Sequence, residues 1–99
     1  MMQIPITATP AQSMKVLLGG QQTQISLYTK GDGLFCDVSV NNAPIVQARA
    51  CHDRLKIVRY GYLGFVGDLC FIDTQGNKSP KYSGLGTRYI LVYLAPGES

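Results

Sequence analysis

The stretch Ser13-Met-Lys-Val-Leu-Leu-Gly-Gly-Gln-Gln-Thr-Gln-Ile-Ser-Leu-Tyr28 decides the fold class. Met14, Val16 and Leu18 alternate with Lys15, two glycines follow, and Ile25 and Leu27 resume the alternation on the return. A period of two marks strands with one face buried, and Gly19-Gly20 supplies the positive φ angles that a two-residue hairpin turn demands. The segment therefore reads as a β-hairpin. Immediately downstream, Lys30-Gly31-Asp32-Gly33 forms the next turn, and Leu34, Cys36, Val38 and Val40 share one face of a strand whose other face carries Asp37 and Ser39. Asn41-Asn42, which tolerates left-handed backbone, reverses the chain into Pro44 to Ala50 as a second hairpin.

Working outward, Gln3 to Thr9 alternates as well, with Pro5 confining that strand to an edge or to the start of pairing. Ile45 to Tyr60 also contains residues that suit a short helix, but the β-branched pairs Ile45-Val46 and Ile57-Val58 favour strand, loop, strand, with the turn at Cys51 to Arg54. Phe65 to Asp73 and Thr87 to Leu94 alternate with apolar residues on both faces, a pattern expected in the middle of a sheet or between a core and a partner, and one that in so short a chain suggests burial by another molecule. Between them, Thr74 to Gly86 is a long loop for so small a domain; Tyr82 and Leu85 imply that it docks somewhere. Seven or eight short strands with regularly spaced turns predict an all-β fold, a small antiparallel barrel or sandwich, occupying residues 1–99 as a single domain.

Composition narrows the function classes. Only 15% of the 99 residues are charged, against about 25% in ordinary soluble domains, so some surface is expected to lie against partners. The net charge of +3 comes from scattered basic residues, with no run suited to a polyanion. Cys36, Cys51 and Cys70 are odd in number and widely spaced, fitting neither a disulfide framework nor a zinc site and implying a chain folded in a reducing cytoplasm. No signal-peptide pattern and no apolar run near the roughly 18 residues of a membrane span is present, so an unexported chain without membrane partners is expected.

Catalytic groups are scarce. Cys51-His52-Asp53 has the composition of a triad, but consecutive residues on extended chain point in opposite directions. Asp68 and Asp73 are five apart in one strand and face opposite sides, so that strand does not pair them. Gly61, Gly64 and Gly67 lack the strand-to-helix setting of a phosphate-binding loop. No catalytic residue, cofactor or metal is assigned. The strongest alternative is an OB-like module that stacks single-stranded nucleic acid on Tyr89 and Tyr93, although the basic groove it needs is missing.

Two motifs carry a resemblance. Gly64-Phe-Val-Gly-Asp-Leu69 and Tyr82-Ser-Gly-Leu-Gly-Thr-Arg88, with the block from Gly33 to Val46, resemble the small baseplate plug proteins of contractile-tailed phages and related prophages, and the likeness spans essentially the whole chain. Lys78-Ser79-Pro80-Lys81 departs from it, being basic where the family suggests acidic residues. The resemblance implies a structural virion protein on the baseplate axis, between the tail tube or its initiator and the central spike or hub. It also implies a ring-like homo-oligomer and a split-barrel fold like that of tail tubes. Tyr82, Leu85 and Arg88 are the first candidate subunit contacts and Tyr60 and Tyr62 the second, because Tyr and Arg dominate interface energetics.

Overall fold

The computed structural model describes residues 2–31, 33–54, 56–58 and 67–95. Its seven strands are β1 (Met2–Ile4), β2 (Ala11–Leu18), β3 (Gln21–Lys30), β4 (Gly33–Val40), β5 (Ala43–Ala50), β6 (Asp68–Asp73) and β7 (Tyr89–Leu94), with a 3₁₀ turn at Tyr82–Gly84. They form two antiparallel sheets, β2-β3-β4-β5 and β1-β7-β6. Of the two expected architectures, this is the sandwich: the sheets face one another and do not close into a barrel.

The four-stranded sheet follows from its alternation. Met14, Ile25, Val38 and Val46 lie side by side in the register, and in the next row Lys15, Gln24 and Ser39 line the other face, with Pro44 opposite Ser39 across a register shift in β5. Glycine and asparagine build both hairpins as expected. Gly19 and Gly20 have φ of 56° and 78°, and Asn41 and Asn42 have 52° and 69°, the primed-turn values that match strand twist.

The core cluster draws on every strand. Ile4, Leu18, Ile25, Leu34 and Val46 meet Leu69, Phe71 and Leu91 between the sheets. Three expected strands are shorter or absent. β1 ends at Ile4 because the chain then crosses to the other sheet. That crossing is held by Gln12, whose Nε2 donates to the Thr7 carbonyl at 2.7 Å and whose Oε1 accepts the Thr7 N–H at 3.1 Å. Ile57 and Val58 are buried but form no strand. The Ile57 N–H reaches the Leu69 carbonyl at 2.8 Å, so their β-branched character serves the core rather than a ladder. β7 starts at Tyr89, since Thr87 and Arg88 belong to the preceding turn. The opening residues of the strand expected from Phe65 lie outside the described residues.

The outer face of β6 and β7 carries a second apolar cluster of Cys70, Val92 and Leu94, with Ile72 and Ile90 half-buried against it. Cys70, Val92 and Leu94 are only 6%, 1% and 5% exposed in the isolated chain. Two-sided alternation here therefore reflects enclosure within the chain, and it does not require a partner.

β5 carries irregularities opposite β4. Ala48 sits there at φ 53°, and its N–H donates to Asp37 Oδ1 at 2.7 Å. Left-handed backbone costs an L-residue roughly 1–2 kcal/mol, and glycine escapes most of that at its own entropic cost. Ala48→Gly is therefore expected to stabilise the domain by about 0.5 kcal/mol, seen as a rise of roughly 2–4 °C in a thermal melt.

Candidate interface: a clamped loop presenting Tyr82

The long loop between β6 and β7 is built around one buried carboxylate. Asp73 has a side chain with 0% exposure, and its two oxygens meet Arg88 Nε and Nη2, each at 2.9 Å. The same oxygens accept the backbone N–H groups of Gln75 and Lys78, both at 2.9 Å. The forked bond from the Arg88 guanidinium, helped by those two N–H groups against the opposing effect of burial, holds the Asp73 carboxyl far below the usual carboxylate range. Arg88 also lies over the Tyr89 ring, 5.2 Å from its centroid. Thr74 closes the base of the loop by donating its N–H and its hydroxyl to the Arg88 carbonyl, at 2.8 and 2.7 Å.

Almost every residue of the Tyr82 to Arg88 motif has a structural job. Tyr82 opens the 3₁₀ turn and is 40% exposed. Gly84 lies where a Cβ would sit 2.7 Å from the Tyr89 ring, and Gly86 has φ 86° where a Cβ would lie 2.5 Å from the Ile6 carbonyl oxygen. Leu85, 1% exposed, belongs to the core cluster. Thr87 Oγ1 donates to the Gly84 carbonyl at 3.3 Å, and Arg88 holds Asp73. In the other motif, a Cβ on Gly67, at φ 94°, would collide with the Leu94 carbonyl.

The five contact candidates thus separate. Leu85 is turned into the chain's own core, Arg88 binds Asp73 with its side chain 30% exposed, and Tyr82 projects from the loop beside Lys81 and Ser83. Tyr60 and Tyr62 lie outside the described residues. The loop docks on its own sandwich through Leu85 and Pro80 while showing the 3₁₀ turn to solvent.

The remaining polar groups brace the backbone. Asp53 Oδ1 accepts the Asp73 N–H at 2.8 Å, and Asp68 Oδ1 accepts those of Val58 and Leu69 at 2.9 and 2.7 Å. With Asp37 and Asp73, every described carboxylate accepts a backbone N–H. His52 Nδ1 meets Ser79 Oγ at 3.1 Å, while Asp53 Oδ2 pairs with Arg54 at 2.7 Å. Cys51, His52 and Asp53 therefore point at separate partners. The Cys36 thiol is pushed well up by its contact with Cys51 and by burial, and the Cys70 thiol is raised by burial and by Asp68. Both are poor nucleophiles at neutral pH. Tyr89 and Tyr93, on which the base-stacking alternative depends, are only 6% and 7% exposed, with their rings in the core.

Comparison with known families decides the identity. The profile of the cyanophage baseplate Pam3 plug gp18 family matches residues 1–96, nearly the whole chain. The chain belongs to that family. No curated protein matches it. A baseplate plug family is a structural one and implies contacts with other baseplate proteins and a place in the virion tail baseplate.

The Asp73–Arg88 clamp is the feature least visible in the sequence. Asp73 and Arg88 are 15 residues apart with no motif linking them. Only the pairing of Asp73 with Tyr89 in the β6–β7 register brings Arg88 alongside.

Proposed function

We propose that the chain is a non-enzymatic plug or hub component on the tail axis, joining the tube end to the central spike or hub by packing against those proteins and against copies of itself in a ring. The observation that carries this reading is the family match over residues 1–96. The low content of charged side chains supports it, as does Tyr82 standing exposed on a loop anchored at Asp73, Pro80 and Leu85. Tyr60 and Tyr62 remain proposed contacts. The protein folds in the host cytoplasm before assembly, in keeping with three free, buried thiols.

A cryo-EM map of the assembled tail tip tests the placement. Density for this chain on the axis between tube and hub is expected; another protein in that position refutes it. Tyr82→Ala is expected to weaken incorporation into the tail tip about 30-fold, the effect of losing a central contact of about 2 kcal/mol, while thermal stability stays close to wild type. Unchanged incorporation removes Tyr82 from the contact.

A further inference from the structure

We propose that the free edge of β2 pairs with β2 of a second copy, antiparallel about a two-fold axis through Met14, so that the two four-stranded sheets become one. This goes beyond the reading above and does not rest on it.

A sheet edge presents unpaired N–H and C=O groups, and folded chains blunt it or cover it. Three of the four edges of this sandwich are treated in that way. Along β6, the Arg54 and Ile57 N–H groups reach the carbonyls of Phe71 and Leu69 at 2.7 and 2.8 Å. β5 has register shifts, Pro44 and the left-handed Ala48, and β1 is three residues long with Pro5 directly after it. β2 is different. Its register with β3 runs unbroken from Ala11 opposite Tyr28 to Leu18 opposite Gln21, and Lys15 is its one charge.

The Thr29 N–H donates to the Pro10 carbonyl at 2.9 Å, which fixes the alternation along β2. Gln12, Met14, Val16 and Leu18 bond to β3, and the N–H and C=O groups of Ala11, Ser13, Lys15 and Leu17 point outward. Among the described residues only the Thr9 hydroxyl meets this row, donating to the Ala11 carbonyl at 3.2 Å. Apolar surface flanks the row on both faces. Met14 and Val16 lie half-buried against the core, while Leu17 on the opposite face is 62% exposed, the most open of the large apolar side chains described.

This strand is complementary to itself in one register. With Met14 opposite Met14 of the second copy, Ala11 faces Leu17 and Ser13 faces Lys15, and the reverse, so every outward residue meets an outward residue and can exchange both its bonds. The small Ala11 leaves room for Leu17. An axis through Lys15 instead opposes two like charges and leaves Ala11 facing Gly19 in the turn. An axis through Ser13 leaves Leu17 facing Thr9, beyond the strand. A two-fold contact pairs like with like, so association stops at a dimer.

The full chain tests this, and sedimentation is expected to show a monomer–dimer equilibrium. Lys15→Pro deletes an outward N–H that β3 does not use; it is expected to lower the association constant at least tenfold with a melting temperature close to wild type. Ser13→Glu sets a carboxylate opposite each Lys15 and is expected to tighten the dimer about fivefold, whereas Ser13→Lys weakens it about fivefold. Met14→Cys, oxidised by dioxygen, is expected to give a disulfide dimer, because directly opposite residues of a non-hydrogen-bonded pair lie about 4.5 Å apart at Cα, within disulfide range. The wild type, whose thiols are buried, gives none. If Lys15→Pro melts early, the two Ser13 variants decide alone. A chain that stays monomeric, a dimer indifferent to the sign of the charge at position 13, or Met14→Cys without disulfide dimers overturns the edge pairing. Larger species that form equally well with Lys15→Pro also overturn it, while leaving the ring of the plug reading in place.

Discussion

Arg88→Ala is expected to lower the melting temperature by roughly 15 °C or more, the largest effect of any single substitution considered for this domain. The mutation removes both arms of a forked bond and leaves the Asp73 carboxylate, 0% exposed, with only the N–H groups of Gln75 and Lys78. An uncompensated buried charge is far costlier than the pair was stabilising. Arg88→Lys should recover only part of the loss, because an ammonium cannot form the two parallel bonds or lie flat over Tyr89.

The pH dependence gives an independent check. Asp73 has a depressed carboxyl in the fold, so its contribution is complete above the ordinary aspartate value of about 4 and fades as pH falls from there through its lower folded value. The stability gap between wild type and Asp73→Asn should therefore be widest near neutral pH and shrink on acidification below about pH 4. A gap that is the same at pH 3 and pH 7, in calorimetric melts, would show that the carboxylate charge is not what holds the loop.

Gly86→Ala is expected to cost about 3 kcal/mol in urea denaturation. Gly86 has φ 86°, and an added Cβ would lie 2.5 Å from the Ile6 carbonyl oxygen, a backbone atom that cannot swing aside. Its N–H is also committed to the Tyr89 carbonyl at 2.9 Å. Gly20→Ala is the control. At φ 78° it carries a similar backbone strain, but a Cβ there meets nothing within 4 Å, so it should cost only about 1 kcal/mol. The difference between the two variants measures how tightly the loop before β7 is pressed against the segment leaving β1.

Much of the fold could be read in the sequence because its cues are local. Met14, Val16 and Leu18 against Lys15, the Gly19-Gly20 and Asn41-Asn42 turns, and the alternation from Leu34 to Val40 each specify strand or reversal within a few residues. Family membership was legible too, since the Tyr82 to Arg88 motif encodes a turn with demands at almost every position. What tertiary structure alone decided is how distant segments share the work. It chose sandwich over closed barrel and sent Ile57 and Val58 into the core without a strand. It enclosed the second face of β6 and β7 within the chain, turned Leu85 inward, and brought Arg88 onto Asp73. Each of these depends on what lies across a sheet or beneath a loop. Alternation tells which residues share a face, but only the packed chain determines what that face meets, and so which of Tyr82, Leu85 and Arg88 is left for a neighbour.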